Sequence, residues 1–350
     1  MLERTIAPPS ELDFQTPGRR DYWVTLEHDS IWGEWHLPLT VFVGPEAERG
    51  RGLVAFGSTH GNEYEGPVAI KNLLREIEID EVRGRIILMP VLNVSAFRSG
   101  ARESVDDDNV NLNRGFVDGA GTSPGISGIT HRIAQFVREY IWPQAHVVLD
   151  IHSGGLVARY APVILAHPVA DQDQARLTIE TARLFGTPFI SLFQDLTPGL
   201  MLSESEKLGK ITLGSEIGWG AFVSAQGVAY ARNGILGAAR LHGQLSGETE
   251  PIGHHAAGTQ KLVEAVDRLC YVPAPWPGHY EPVLELGAPV EVGQTTALLH
   301  DFYRIDEEPW PVKAAVAGYV LGQSTKAFVQ AGEHILVVAQ EIPPDRGLGF

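Results

Sequence analysis

Short apolar runs alternate with segments of helical period along the first 250 residues, and this alternation is the strongest constraint on the fold. The run LVAFGS (53–58) stops at a glycine and has the form of a buried strand. It is followed by EGPVAIKNLLREI (65–77), with apolar residues at roughly helical spacing, and then by a second apolar run, RGRIILMPVLN (83–93). Because this order recurs further along the chain, the sequence predicts an α/β sheet with helices on both faces.

The character of the sequence changes after about residue 247. Beyond a linker-like stretch, prolines and glycines separate short strand candidates such as TTALLHDFY (295–303) and AFVQAGEHILVVAQ (327–340). A chain of 350 residues is long enough for two domains. We predict an α/β domain that carries the chemistry over residues 1–250 and a smaller all-β domain over residues 260–350.

The charge and cysteine content exclude several classes of partner and location. Forty-three acidic and 27 basic residues give a formal net charge of −16, which repels phosphate backbones and anionic membranes. Nucleic acid and membranes are therefore not expected as partners. Cys270 is the single cysteine, and the N-terminus lacks the apolar segment of a secretory signal. No apolar run approaches the roughly 18 to 20 residues that span a bilayer, so we expect a cytoplasmic protein.

Candidate metal ligands follow two of the predicted strands. His60 and Glu63 lie three positions apart after the first apolar run, and His152 lies at the end of VVLDIHSGG (147–155). A catalytic zinc site typically has three N or O protein ligands and one position for water. Parallel strands end at one edge of a sheet, so these side chains can converge, and the flanking glycines allow sharp turns. Asp150 lies two residues before His152, where its carboxylate can accept the ring N–H of that histidine.

Glu216 is the candidate proton carrier. It comes directly after an apolar strand, in the sequence ITLGSEIGWG, and a glycine follows two residues later. Zinc lowers the pKa of bound water to about 7, but hydrolysis still needs a group that accepts the proton of the water and delivers it to the leaving amine. A carboxylate beside the metal can do both.

A long stretch, residues 94–126, has little periodicity and supplies cations. It contains Arg102 and the adjacent pair Asn113 and Arg114. A guanidinium can hold a substrate carboxylate in a bidentate pair or stabilise an oxyanion. Since a loop of this length in a compact domain is usually either functional or disordered, we predict that it forms a wall of the site. A mobile surface excursion is the alternative.

Four motifs resemble those of the succinylglutamate desuccinylase/aspartoacylase family, a branch of the zinc carboxypeptidase superfamily. In chain order they are HGNE, NLNRG, LDIHSGG and GSEIG. The resemblance implies a zinc-carboxypeptidase-like mixed sheet flanked by helices. It also implies one zinc ion per chain, with His60, Glu63 and His152 as its ligands.

The same resemblance assigns roles to the other candidate residues. It implies that Glu216 acts as general base and then as general acid, and that Arg102 polarises the scissile carbonyl. Asn113 and Arg114 match the pair that grips the substrate carboxylate. Because the spacing from Arg102 to this pair is longer than in aspartoacylase, Arg98 stays open as the alternative to Arg102.

The C-terminal segment resembles a barrel-sandwich hybrid related to lipoyl and biotinyl domains. Lys313 lies in PVKAAVAG, near the position of the modified lysine in such domains. The flanking methionines of a biotinyl motif are absent. This favours a structural or substrate-gating role for the segment over a carrier role.

These features together predict a zinc-dependent amidohydrolase, a deacylase of linear amides whose partner is a small N-acyl amino acid. General likeness favours the branch that includes N-acetyl-diaminobutyrate deacetylases. Two alternatives stay open: a metallocarboxypeptidase acting on peptides, and an acyl or biotin carrier or metal-dependent binding protein. The sequence does not distinguish the acyl group, the amine, the metal used in the cell or a monomer from a homo-oligomer.

Overall fold

The computed structural model describes residues 4–28, 30–117, 128–194, 197–249 and 260–343. The helices are α1 (Glu65–Glu76), α2 (Val94–Ser99), α3 (Ile129–Phe136), α4 (Gln172–Arg183), α5 (Met201–Glu206) and α6 (Ala225–Leu241). Short 3-10 helices cover Pro9–Glu11, Ile79–Glu81, Val105–Asp107, Leu112–Arg114, Trp142–Gln144 and Arg268–Cys270, and a π-helical turn covers Val137–Ile141. Within the described ranges, no helix combines the length and apolar composition needed to cross a membrane.

The strands of the first 250 residues are β1 (Thr5–Ala7), β2 (Gly18–Glu27), β3 (Glu34–Val43), β4 (Gly52–Gly57), β5 (Arg85–Met89), β6 (Ala145–Ile151), β7 (Ala158–Tyr160), β8 (Val163–Ala166), β9 (Phe189–Phe193) and β10 (Ile211–Glu216). Those of the C-terminal segment are β11 (Lys261–Ala265), β12 (Tyr271–Pro273), β13 (Gly278–Pro282), β14 (Pro289–Val290), β15 (Thr295–His300), β16 (Trp310–Lys313), β17 (Gly318–Ser324), β18 (Phe328–Val329) and β19 (His334–Glu341).

Fifteen of the described strands form one mixed sheet. Its order is β1-β2-β3-β5-β4-β6-β10-β8-β9-β11-β19-β17-β14, with β7 paired to β17 and β12 paired to β19. At the centre, β4 pairs in parallel with β5 and β6, and β10 pairs in parallel with β6. Beside them β8 runs antiparallel to β10. The predicted α/β class, a mixed sheet flanked by helices, is confirmed.

Alternate residues of the central strands enter two different cores. On β4, Leu53 and Ala55 belong to a core shared with α1, α4 and α6, whereas Val54 and Phe56 belong to a core shared with α2, α3 and α5. Successive side chains of a strand point to opposite faces, so a strand covered by helices on both sides must be apolar throughout. This requirement explains the continuous apolar runs in the sequence.

The C-terminal segment continues the large sheet and adds a second one. β11 pairs in parallel with β9 and antiparallel with β19, and a separate antiparallel sheet has the order β16-β15-β13-β18. Both contribute to a third core, which includes Ala297 of β15 and Val320 of β17. The predicted small β-sheet region is therefore present. The domain boundary stays a prediction, because residues 250–259 lie outside the described ranges.

The stretch over residues 94–126, predicted as a loop of little regular structure, begins with a helix. The side chain of Asn93 caps α2 by accepting the backbone N–H of Ala96 at 3.2 Å, and α2 ends at Ser99, just before Gly100, whose φ is 62°. After it come the two 3-10 turns already given. Residues 118–127, the last part of the predicted loop, lie outside the described ranges.

Candidate metal centre

Two neighbouring parallel strands bring the predicted ligands to one edge of the sheet. β4 ends at Gly57, whose Cα partner on β6 is Ile151. His60 and Glu63 follow β4, and His152 follows β6 directly. The parallel pairing therefore places both turns side by side, at the carboxyl edge where α/β sheets usually bind their ligands.

His60, Glu63 and His152 form a compact, buried group. One ligand atom from each lies within 4.8 Å of the other two. The Nδ1 atom of His60 lies 2.8 Å from Oε1 of Glu63, and the Nδ1 atom of His152 lies 2.7 Å from Oε2 of the same carboxylate. Two imidazoles and a carboxylate are ligands suited to zinc, so this group could hold a metal ion.

The outer ring nitrogen of each histidine faces an oxygen acceptor. The Nε2 atom of His152 lies 2.7 Å from Oδ2 of Asp150, and the Nε2 atom of His60 lies 3.2 Å from Oδ1 of Asn111. Thr59 in turn donates its hydroxyl to Oδ1 of Asp150 at 2.6 Å. Metal-bound histidines usually donate their outer N–H to such an acceptor, which fixes the ring. The surroundings therefore fit a metal ion held through both Nδ1 atoms and the shared carboxylate.

The buried charges of this group shift its pKa values in different directions. Burial lowers the pKa of His60, although the Glu63 carboxylate opposes this. Burial also disfavours the charged form of His152, but the Asp150 and Glu63 carboxylates outweigh it and hold the pKa well above its ordinary value. For Glu63 itself, burial is outweighed by the two imidazoles, so its pKa is lowered. The carboxylate is consequently ionised and available as a ligand.

Glu216 is the last residue of β10, the strand beside β6. Its Oε2 atom is buried and has no hydrogen-bond partner within the described part of the chain. Burial and the negative charge of Glu63 raise the pKa of Glu216 to about 8, although His152 and Arg102 oppose the shift. Glu216 therefore lies close enough to the candidate metal ligands for their charges to interact, and among the described residues nothing occupies its Oε2 atom.

Arg102 reaches the same group from the long stretch. Its Nη1 atom donates to Oε1 of Glu63 at 2.9 Å, and its backbone carbonyl accepts the N–H of Gly61 at 3.3 Å. Arg98, the alternative arginine, is exposed in the last turn of α2. The structure thus brings Arg102 to the candidate metal ligands.

Asn113 and Arg114 lie in the 3-10 turn of the long stretch and differ in their surroundings. Asn113 is buried, with Nδ2 at 3.5 Å from Nε2 of His152, and its Oδ1 accepts the backbone N–H of Met201 at 2.8 Å. Arg114 is exposed and donates from Nη1 to the carbonyl of Asn113 at 2.6 Å. The structure places Asn113 against the group, while its grip on a substrate, like that of Arg114, stays a prediction.

Three further polar residues near the group were not among the predicted site residues. Asn111 contacts His60, and Thr59 contacts Asp150. Burial and the neighbouring Glu216 carboxylate raise the pKa of Tyr160, which lies on β7. Asn111 belongs to the NLNRG motif, which could have pointed to it. Tyr160 arrives through the pairing of β7 with the C-terminal strand β17, and no local pattern signals that pairing.

Residues 49–242 match the family described as the succinylglutamate desuccinylase/aspartoacylase catalytic domain. This range covers more than half of the chain and contains the candidate metal ligands and Glu216. The chain therefore belongs to the succinylglutamate desuccinylase/aspartoacylase family, and the resemblance inferred from the four motifs is confirmed.

Individual relatives match over nearly the whole chain. The N-alpha-acetyl-L-2,4-diaminobutyric acid deacetylase of Halomonas elongata is 31% identical over 337 residues, which are 95% of this chain and 94% of that protein. The crystal structure of a succinylglutamate desuccinylase/aspartoacylase from Rhodobacter sphaeroides superposes with a TM-score of 0.86 at 27% identity, covering 95% of this chain and 98% of that one. The product-bound ectoine utilization protein EutE (DoeB) from Ruegeria pomeroyi gives a TM-score of 0.81 at 29% identity, covering 94% and 98%.

Proposed function

We propose that this chain is a zinc-dependent deacylase that hydrolyses the amide bond of a small N-acyl amino acid. The observation that carries the proposal is the buried group of His60, Glu63 and His152, with Glu216 nearby, whose Oε2 atom has no hydrogen-bond partner among the described residues. Two imidazoles and one carboxylate are a ligand set of catalytic zinc sites, which keep a position open for water. Membership of the family and the Halomonas elongata relative support a deacylase.

Glu216 carries the proton in the proposed reaction. When bound, zinc would polarise the acyl carbonyl and make water more acidic. The Oε2 atom of Glu216 accepts a proton as the water oxygen bonds to the acyl carbon, and the carboxyl group returns that proton to nitrogen as the carbon–nitrogen bond breaks. The products are a carboxylate and an amine. A pKa near neutrality, which burial favours here, suits a group that must both accept and donate.

Arginine side chains can stabilise the negative charges of the substrate. Arg102 lies beside Glu63, where its guanidinium can stabilise the negative charge that develops on the acyl oxygen. We assign the substrate carboxylate to Arg114 and Asn113, since a guanidinium and an amide both donate to carboxylate oxygens.

The proposed substrate class is N-acetyl-diaminobutyrate and related N-acyl amino acids, on the strength of the Halomonas elongata deacetylase. We place the reaction in the cytoplasm, because the single cysteine is buried and unpaired. Lys313, the residue on which the carrier alternative depends, is exposed at the end of β16. Among the described residues, Lys313 makes no contact that supports a carrier function.

A substrate panel tests the proposal. Zinc-loaded and chelator-treated protein are incubated with N-acetyl, N-formyl and N-succinyl amino acids, including N-acetyl-diaminobutyrate, and with peptides that have free C-termini. We expect release of acid and amine from one N-acyl class, lost on chelation and restored by zinc. Cleavage of peptides alone would instead indicate a carboxypeptidase. Intact-mass measurement of the purified protein tests the carrier alternative, which requires added mass on Lys313.

A further inference from the structure

Glu65 is a buried carboxylate that the proposed mechanism does not use. It is the first residue of α1, two positions after Glu63, and is 1% exposed. No Lys, Arg or His side chain pairs with it in the ranges that the structure describes. Burying an ionised carboxylate away from water is costly unless its oxygens accept hydrogen bonds. The partners of these oxygens therefore indicate what the residue does.

Each oxygen of Glu65 is held by a different turn of the site. Oε2 accepts the hydroxyl of Ser153, the residue after His152, at 2.6 Å. Oε1 accepts both the hydroxyl and the backbone N–H of Ser224, each at 3.2 Å. Ser224 caps α6, since its Oγ accepts the N–H of Gly227 at 3.1 Å. The positive end of the α6 dipole thus faces the carboxylate and offsets part of its charge.

The segment after Glu216 also packs directly on the Glu65 side chain. A Cβ atom at Gly218 would lie 1.9 Å from Oε1 of Glu65, and one at Gly227 would lie 2.6 Å from its Cγ. Such distances are far shorter than van der Waals contact, so only glycine allows this approach. The backbone at Gly218 and at Gly227 therefore lies directly against Glu65.

Backbone hydrogen bonds also join the turn after His152 to the segment after Glu216. The N–H of Ile217 donates to the carbonyl of His152 at 3.3 Å, and the N–H of Gly154 donates to the carbonyl of Gly218 at 2.8 Å. Glu65 therefore links the turn that holds His152, through Ser153, to the segment that follows Glu216, through Ser224.

We propose that Glu65 is a positioning residue that fixes Glu216 relative to the candidate metal ligands. The proton transfer by Glu216 is the only part of this inference that rests on the proposed function. The contacts of Glu65 are observed whatever that function is. Removing its oxygens leaves three donors without acceptors and loosens the segment after Glu216. Displacement of a reacting group by about 1 Å can cost roughly 100-fold in rate, whereas the three metal ligands keep their mutual contacts.

Two substitutions of similar size separate positioning from simple filling of space. Glu65→Leu removes both acceptors. Glu65→Gln keeps one acceptor for Ser224 and places an amide donor against Ser153, whose hydroxyl oxygen can accept. Glu76→Gln is the matched control, because Glu76 lies on the same helix but forms an exposed ion pair with Arg232 at 2.6 Å. Each protein is assayed for bound zinc, kcat, KM and hydrogen–deuterium exchange of the amides of residues 217–224.

We expect Glu65→Leu to lower kcat by roughly 10- to 100-fold with one zinc per chain and KM within about threefold of the original. Exchange at residues 217–224 rises in this variant, and Glu65→Gln restores both kcat and protection. A Glu65→Leu protein whose kcat and exchange equal those of Glu76→Gln overturns the proposal. An equal loss in the Leu and Gln variants overturns it as well.

Two further outcomes are decided by the same measurements. If Glu65→Leu does not fold, Ser153→Ala and Ser224→Ala each remove one donor, and both must lower kcat and raise exchange for the proposal to stand. If the original protein hydrolyses no N-acyl amino acid, the proposed function fails, and exchange alone then decides whether Glu65 holds the segment after Glu216.

Discussion

The Nε2 atom of His152 lies 2.7 Å from Oδ2 of Asp150, two residues earlier in the chain. Asp150 is fully buried, and its other oxygen accepts the hydroxyl of Thr59. Asp150 is next to the last residue of β6 and His152 follows the strand directly, so the end of this strand brings the two side chains together. With its outer nitrogen held in this way, the imidazole presents Nδ1 to Glu63.

Asp150→Asn is expected to weaken zinc binding by roughly 10- to 100-fold. The amide has one acceptor oxygen in place of two, so it cannot serve both the hydroxyl of Thr59 and the ring of His152. Competition with a chromogenic chelator measures the change. Asp173→Asn is the control, since the Asp173 side chain is 91% exposed on α4. Unchanged zinc affinity in Asp150→Asn would show that the His152–Asp150 contact does not support a metal ion.

Glu216→Gln is expected to lower kcat by roughly 100- to 10,000-fold, because an amide can neither accept the proton of water nor return it to the amine. The zinc content stays at one per chain, since Glu216 is outside the group of candidate ligands. Steady-state kinetics and metal analysis of the same preparation measure both. Glu180→Gln, at a surface side chain of α4 that is 43% exposed, should behave as the original protein. Near-normal turnover of Glu216→Gln with zinc bound would exclude the proposed role.

The central sheet and the convergence of the candidate metal ligands could be predicted from the sequence for a physical reason. β4 and residues 147–149 of β6 are covered on both faces, so these runs are apolar, and that signal is local. Ligands just beyond two such strands meet because parallel strands end at the same edge. His60, Glu63 and His152 therefore come together through features that short segments already contain.

Contacts between distant segments could not be predicted in this way. Oδ1 of Asn113 accepts a hydrogen bond from the backbone N–H of Met201, 88 residues later in the chain. Tyr160 comes close to Glu216 because β7 pairs with β17, whose residues lie about 160 positions further on. Short helices could not be predicted from periodicity either. α2 and α5 have six residues each, which is too few for a helical period to be recognised.

Gly61→Ala is expected to disturb the turn that carries His60 and Glu63. A Cβ atom at this position would lie 2.0 Å from the carbonyl carbon of Ala96 in α2, so the turn or the helix must shift. We expect a loss of about 1 to 3 kcal/mol in the free energy of unfolding together with weaker zinc binding. Denaturant titration and chelator competition measure these. Gly33→Ala is the control, because its Cβ atom would meet the nearest neighbour, His28, at an ordinary 3.6 Å. Equal effects of the two substitutions would contradict the prediction.

His242 is expected to make the fold sensitive to acid. Burial and the nearby His146, whose ring centroid lies 6.0 Å away, lower the pKa of His242 to about 4 from its ordinary 6.5, although Glu180 opposes the shift. In the fold its Nε2 atom lies 2.8 Å from the hydroxyl of Thr181. The unfolded chain therefore binds a proton more readily than the folded chain between these two values. The stability that neutral His242 contributes is complete above pH 6.5 and is lost as the pH falls towards 4.

Thermal unfolding at about pH 7.5 and about pH 5 checks this pH dependence. His242→Gln keeps a side chain that can bond to Thr181 but cannot take up a proton, so its Tm should fall less between the two pH values than that of the original protein. His36→Gln is the control, since the His36 side chain on β3 is 38% exposed, and its Tm should fall as in the original. An equally large fall in His242→Gln would mean that other groups, His146 among them, account for the acid sensitivity.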